Sequence, residues 1–251
     1  PSARKSHTAE VPVLGGVAIY MASAFSIFIV AFLFPSKIET SAFFLLAFGS
    51  MMLLFVGVVD DIVRLKPLHK LIFQLIVSFV LIHNTPLYIN NMHGLFGLSE
   101  ISYIPSLFLS MFVYVVFVNM LNLIDGIDGL ASGISVVAFS FFAYVSFFEF
   151  YYFNMLVSMA GVGCLLPFMY YNMFSDKKIF LGDNGSLVMG VILGYLSLDY
   201  IYVDTTTTEL LFGSNKIVIL MSLFSYPLVD TLRVFVARIL RKKSPFSADK
   251  N

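Results

Sequence analysis

FLSMFVYVVFVNMLNLIDGIDGLASGISVVAFSFFAYVSFF, residues 108–148, places two aspartates and three glycines between two apolar runs. A helix that crosses a bilayer needs about 20 mostly apolar residues. Charged side chains beside such segments are costly and are by default candidates for function. The stretch therefore predicts two membrane helices joined by a functional turn that carries Asp125 and Asp128.

The composition of the whole chain is that of an integral membrane protein. It is 59% hydrophobic and only 12% charged, whereas an average soluble domain is about 25% charged. Helices satisfy their own backbone hydrogen bonds in lipid. We therefore predict an all-α, polytopic transmembrane bundle that forms a single domain over residues 1–251. About eight helices are expected, near residues 13–34, 41–59, 69–84, 103–123, 130–150, 152–171, 186–204 and 216–239.

The ends of the sequence and its single cysteine add two expectations. The chain starts at Pro1 rather than Met and ends in a charged segment, so we interpret it as an internal piece of a longer polytopic protein. Cys164, the only cysteine, excludes an internal disulfide framework or a thiolate metal site.

Basic residues predict the orientation of the bundle. If eight helices alternate, Lys37 and Lys216 lie on one side and the other 13 of the 15 Lys and Arg lie on the opposite side. Short cytoplasmic loops carry an excess of Lys and Arg. The basic side is therefore predicted to be cytoplasmic.

Acidic residues converge on the same predicted face. Asp60 and Asp61 end the second helix, Asp125 and Asp128 follow the fourth, and Asp183 begins the seventh. Each motif alone could be an ordinary turn or helix cap. Together, five negative charges at one membrane face would repel one another unless a cation and an anionic ligand shared the site.

Hard oxygen ligands indicate which cation this would be. Asn119, Asn122 and Asp125 are spaced three residues apart, which places them along one stripe of a helix. Carboxylate and carboxamide oxygens suit Mg²⁺, or Mn²⁺ in its place, and Mg²⁺ commonly binds one or two protein oxygens together with substrate phosphates. We therefore predict a divalent metal and a phosphorylated substrate.

Basic residues and glycines complete the predicted site. Lys70 and Arg64 can hold phosphate oxygens, the first as a point charge and the second as a fork. Gly126 and Gly129 would let a ligand approach the backbone closely.

Five motifs in order along the chain resemble the polyprenyl-phosphate N-acetylhexosamine-1-phosphate transferases. They are RKSHTAEVPVLGG (4–16), VGVVDDIVRLKPLHK (56–70), NMLNLIDGIDGLASG (119–133), FLGDNGSL (180–187) and SPFSADKN (244–251). The chain looks more like the bacterial undecaprenyl-phosphate GlcNAc-1-phosphate transferases than the phospho-MurNAc-pentapeptide translocases. The translocases carry Thr-Pro-Thr-Met where this chain has Val-Pro-Val-Leu before its paired glycines.

The resemblance also implies segments beyond this sequence. Family members usually have ten or eleven transmembrane helices, so the first and the last are expected to be missing. A His-rich motif normally follows a segment such as 244–251, and it is absent here.

The resemblance implies roles for individual residues. Asp183 and Asn122 match magnesium ligands, and Lys70 matches a pyrophosphate contact. Asp60 and Asp61 match the catalytic aspartate pair, whose first member is often proposed as the base that deprotonates the lipid phosphate. Phe180, which would stack on uracil, matches a uridine-binding position, as do Gly182, Asp125 and Asp128. Further candidates for substrate binding are Asn119, Arg64 and His7.

The implied reaction transfers a sugar-1-phosphate, with GlcNAc-1-phosphate as the expected group, from a UDP-sugar to undecaprenyl phosphate and releases UMP. It would be the first membrane step of cell-surface glycan synthesis, such as lipopolysaccharide or cell-wall polymers, at the cytoplasmic face of the bacterial inner membrane. The expected partners are the two substrates and membrane lipid, with no nucleic acid; a homodimer is compatible with the sequence.

Three alternatives stay open. A phospho-MurNAc-pentapeptide translocase shares most of the chemistry. A secondary transporter is also polytopic, but it tends to carry acids near the bilayer midplane. A CDP-alcohol phosphotransferase shares metal, lipid and phosphate, but its motif requires Arg where this chain has Ser132.

Overall fold

The computed structural model describes residues 14–35, 39–92, 95–97, 100–203 and 215–241. In these ranges the chain forms nine α-helices, a short 3-10 turn at Leu95–Gly97 and an isolated bridge between Asn91 and Glu100. The helices are α1 (Gly15–Leu33), α2 (Thr40–Val63), α3 (Pro67–His83), α4 (Tyr103–Ile124), α5 (Leu130–Phe148), α6 (Tyr152–Met173), α7 (Gly182–Tyr202), α8 (Lys216–Leu223) and α9 (Ser225–Leu240).

The predicted all-α, polytopic membrane architecture is confirmed. Within the described ranges, α1, α2, α4, α5, α6 and α7 are each long and apolar enough to cross a membrane. The pair α8 and α9 would make a seventh span if counted together, and α3 is a shorter apolar helix of 17 residues. Pro67 begins α3, a position where its missing N–H costs nothing.

The structure divides the helix predicted near 216–239 into two. The segment bends by 74° between α8 and α9, and the break lies at Phe224 (φ −102°, ψ 21°). Pro227 has no N–H to donate to the carbonyl of Leu223, and its ring would crowd that group. A helix that ends at Leu223 and restarts at Ser225 avoids this conflict.

Helix α7 lies at the centre of the bundle. Most of its side chains are buried, and it packs chiefly against α2, α4 and α1. A side chain at Gly190 would place its Cβ 2.5 Å from the Cα of Val118, so α4 and α7 approach closely at this glycine. Small residues permit such close approach between membrane helices. The N-terminus of α7 is therefore held at the middle of one end of the bundle.

Candidate active site

Lys70 joins two of the predicted acids at this end of the bundle. Its Nζ lies 2.7 Å from Oδ2 of Asp60 at the end of α2 and 2.5 Å from Oδ2 of Asp183 at the start of α7. All three side chains are partly buried. Removing one partner from a group of charges that is shielded from water is destabilising. The geometry thus couples α2, α3 and α7 at one point.

Asn122 completes the surroundings of Asp183. Its Nδ2 donates to Oδ1 of Asp183 at 3.0 Å and to Oγ of the buried Ser186 at 2.9 Å. Both bonds use the amide nitrogen, so the carboxamide oxygen is not consumed by them. The two predicted metal ligands lie side by side, although they are 61 positions apart in the chain.

Asp60 has hydrogen-bond partners for both carboxylate oxygens. Oδ2 faces Lys70, and Oδ1 accepts from the backbone N–H of Leu65 at 2.6 Å. Between them, Arg64 ends α2 with a left-handed backbone (φ 53°, ψ 82°). Asp60 therefore both holds Lys70 and stabilises the turn that leads from α2 into α3.

Asp61, the next residue, points at a different partner. Its carboxylate accepts from the backbone N–H groups of Asp183 (3.2 Å) and Asn184 (3.3 Å) and from Nδ2 of Asn184 (2.6 Å). The adjacent aspartates, which the sequence presents as one pair, thus contact different groups of the site.

Asn172 joins two loops that carry predicted nucleotide-binding residues, the first over residues 125–129 and the second over residues 174–181. This buried side chain accepts from the backbone N–H of Gly129 at 2.6 Å and donates to the carbonyl of Ile179 at 2.9 Å. Lys178 adds an ion pair of 2.6 Å with Asp128 between the same loops. Sequence reasoning missed Asn172, because nothing in the local pattern distinguishes it from an ordinary polar residue at a helix end.

The predicted stacking residue Phe180 lies in the second of these loops. Its carbonyl accepts from the N–H of Gly15 at 3.2 Å, and the carbonyl of Leu181 accepts from Gly16 at 3.1 Å. The loop thereby satisfies the first N–H groups of α1, which have no partner within their own helix. Gly182 then adopts a positive φ of 74°, a conformation that favours glycine.

Two other predicted substrate contacts lie at the margin of this cluster. Asn119 is one helical turn below Asn122 and donates to the side chain of Gln74 at 2.7 Å and to the carbonyl of Val115 at 2.8 Å. Arg64 is exposed. His7 lies outside the described residues. Gln74, which none of the sequence motifs indicated, is buried and faces Asn119 from α3.

The site carries more negative than positive charge. Asp125 follows the last residue of α4, and burial, together with the charges of Asp183, Asp61 and Asp128, raises the pKa of Asp125 to about 8. A carboxyl group with so high a pKa is one whose ionised form lacks compensating positive charge. The arrangement would therefore favour binding of a cation beside Asp125.

This imbalance predicts a pH effect on the protein without added metal. The fold favours the protonated form of Asp125. Its contribution to the free energy of unfolding is fully present below the unfolded pKa of about 3.9, and it is lost progressively as pH rises from there through the folded pKa of about 8. We expect the thermal unfolding midpoint in EDTA to fall between about pH 4 and pH 8 and to level off above pH 8. Asp125→Asn should flatten that decline, as measured by differential scanning fluorimetry in detergent. An unchanged slope in the variant would contradict the assignment.

The residues present fit a magnesium ion that shares its coordination with substrate. Among the described residues, no group of three or more His, Cys, Asp or Glu side chains is arranged to hold a metal. Mg²⁺ does not require such a cage, because it is usually bound by one or two carboxylates together with phosphates and water. Asp183 and Asn122 offer two oxygen donors at the point where the acids cluster.

Comparison with known proteins assigns the chain to a family. The model of glycosyl transferase family 4 matches residues 43–201, more than half of the chain. The chain belongs to this family. The matched segment contains Asp60, Lys70, Asn122 and Asp183, so the cluster lies wholly inside it.

Several relatives are similar in sequence. The undecaprenyl-phosphate alpha-N-acetylglucosaminyl 1-phosphate transferase of Escherichia coli (strain K12) is 27% identical over 254 aligned positions, which cover 100% of this chain and 66% of that protein. A probable undecaprenyl-phosphate N-acetylglucosaminyl 1-phosphate transferase of Bacillus subtilis is 36% identical over 95 residues, 38% of this chain and 24% of the relative. The decaprenyl-phosphate N-acetylglucosaminephosphotransferase of Mycolicibacterium smegmatis is 31% identical over 102 residues, with the same coverage. The chain thus spans at most about two-thirds of the length of these relatives.

Proposed function

We propose that this protein transfers a sugar-1-phosphate, GlcNAc-1-phosphate in the first instance, from a UDP-sugar to undecaprenyl phosphate. The observation that carries the proposal is the contact of Lys70 with both Asp60 and Asp183, beside Asn122, at one end of a membrane bundle. Relatives whose names specify undecaprenyl phosphate and N-acetylglucosaminyl 1-phosphate transfer support it.

In the proposed reaction, an oxygen of the lipid phosphate attacks the β-phosphorus of the UDP-sugar. The bond between that phosphorus and the oxygen bridging to the α-phosphate breaks, and UMP leaves with the electron pair. Both reactants are anions, so catalysis of such a transfer consists largely of positioning and neutralisation of charge. Lys70, a partly buried cation beside Asp183, is available for this role.

Magnesium would be held by Asp183 and Asn122, where it would neutralise phosphate charge as the bond to UMP breaks. Asp60 would keep Lys70 in place through their ion pair of 2.7 Å. Phe180 and Gly182 in one loop, and Asp125 and Asp128 in the other, would bind the nucleotide. The bridge through Asn172 supports this, because it keeps the two loops adjacent.

We further propose that the site faces the cytoplasm of a bacterial cell. The described residues at this end of the bundle include Arg64, Lys66, Lys70, Lys177 and Lys178. Such an excess of basic residues is typical of cytoplasmic loops. A nucleotide sugar, which is made in the cytoplasm, would reach the site from that side.

The experiment is a transfer assay in membranes that contain the protein, with undecaprenyl phosphate and a panel of labelled UDP-sugars that includes UDP-MurNAc-pentapeptide. We expect UDP-GlcNAc to give a labelled lipid and one UMP for each transfer. EDTA should abolish the signal, and Mg²⁺ or Mn²⁺ should restore it. Transfer from UDP-MurNAc-pentapeptide alone would make the protein a translocase, and a CDP-linked donor would place it with the CDP-alcohol enzymes. Substrate uptake without UMP release would indicate a transporter.

A further inference from the structure

The first turn of α7 depends on a group from another helix. The residue preceding α7, Leu181, has no side chain that could cap it, and no cap hydrogen bond is formed there. The first N–H groups of a helix need partners from outside. Asp61 of α2 provides them, because its two oxygens accept from the N–H groups of Asp183 and Asn184. A carboxylate is well suited to this place, since the N-terminal end of a helix carries partial positive charge.

Asn184 strengthens the connection between α2 and α7. Its Nδ2 donates to Oδ2 of Asp61 at 2.6 Å, and only 1% of the residue is exposed. A Cβ at Gly57 would lie 2.3 Å from the Cα of Asn184, and one at Gly16 would lie 2.2 Å from the Cα of Gly185. The backbones of α1, α2 and α7 therefore meet around Asn184, with no room for a side chain at Gly16 or Gly57. The contact with Asp61 is a polar link within this packing.

The position of Asp183 depends on this contact. The backbone N–H of Asp183 donates to Asp61, and its two side-chain oxygens accept from Lys70 and Asn122. A shift in the first turn of α7 would change both side-chain distances at once. Consecutive residues of a helix point about 100° apart, which explains how Asp60 can face Lys70 while Asp61 faces α7.

We infer that Asp61 is a positioning residue that holds Asp183 in place through the first turn of α7, and that it does not act on substrate itself. Asp61 is exposed at the edge of the site, so direct contact with substrate is the competing role. The inference rests on the proposed function for its activity measurements, but the contact with Asn184 can be tested by stability alone.

The test uses Asp61→Asn, Asn184→Ala and the double variant, with Glu39→Gln, an acid at the opposite end of α2, as the matched control. The thermal unfolding midpoint in detergent, kcat and both KM values are measured for each protein. We expect each single variant to lower the midpoint and to reduce kcat by about 10–100-fold, the usual effect of losing a residue that orients a metal-ligating side chain. Both KM values should stay within about threefold of wild type, because the substrate contacts themselves remain.

The double variant separates the two roles of Asp61. If both residues act through one contact, the combined losses in midpoint and kcat should be close to those of the worse single variant. Losses that add fully would overturn the inference, as would an Asp61→Asn protein with a normal midpoint and a raised KM. If no UDP-sugar is transferred by the wild type, the proposed function fails, and the midpoints alone then decide whether Asp61 and Asn184 are coupled.

Discussion

Asp183→Ala is expected to lower sugar-1-phosphate transfer by about 10³–10⁵-fold, the loss seen when a charge-stabilising group is removed in phosphoryl transfer. The substitution removes a candidate magnesium ligand and also the partner of Lys70 and Asn122. Lys70 would keep Asp60 as a partner but would no longer be fixed between two carboxylates. Initial rates at saturating donor and Mg²⁺, normalised to protein in the membrane, measure the effect.

Asn122→Ala should show a loss in the same direction, because it removes the second candidate oxygen ligand. Asp176→Ala is the control, since Asp176 is an exposed acid in the loop that precedes α7; it should keep nearly full activity. Wild-type rates for either site variant at ordinary Mg²⁺ concentrations would exclude the metal assignment. A loss accompanied by poor membrane accumulation would instead show that the substitution disrupts folding.

Hydropathy and the placement of acids were sufficient to predict the general location of the site. Each apolar run sets the length of a helix, so an acid next to a run lies at a membrane face. Because successive helices cross the membrane in opposite directions, the order of the helices decides which face it is. Asp60, Asn122 and Asp183 could be assigned to one end of the bundle in this way. In the structure these residues lie together at that end, with Lys70 between the two acids.

Partners across long sequence distances were not predictable from local pattern. Gln74 bonds to Asn119, 45 positions away, and Asn172 bonds to Gly129, 43 positions away. A buried carboxamide has the same local signature whether it caps a turn or joins two loops. The resemblance to a family assigned roles to Asp60 and Asp61 as a pair, but it carried no information on the direction in which each side chain points.

The bend between α8 and α9 was not predicted, for a different reason. The stretch from Ile217 to Val229 carries no charged residue, so hydropathy gives no sign of the break at Phe224. Pro227 is the local signal against it, because proline within a helix removes one hydrogen bond and crowds the preceding turn. The same residue type is accommodated inside α6 at Pro167, so the presence of proline does not by itself distinguish a break from a continuous helix.

Asp60→Asn is the second variant for which a large effect is expected, and its pH dependence decides what Asp60 does. Both oxygens of Asp60 already have partners, Nζ of Lys70 and the N–H of Leu65. A carboxylate held in this way is poorly placed to remove a proton from substrate. A phosphate monoester has a second pKa near 6, so the lipid phosphate is already largely dianionic at neutral pH and hardly needs a base.

We therefore expect Asp60→Asn to lose about 10²–10³-fold in kcat, as when one charge-stabilising group is lost, and to keep the same fractional loss from about pH 7 to pH 9, above the second pKa of the phosphate. Loss of a base falls in the same range of size, so the profile and not the magnitude separates the two roles. If Asp60 were chiefly a base, the variant would recover toward the wild-type rate as the phosphate became fully ionised. If Asp60 positions Lys70, the missing ion pair is missing at every pH in this range. The measurement is kcat against pH for Asp60→Asn and wild type in the same membranes, with Asp176→Asn as the control for effects of charge at this face.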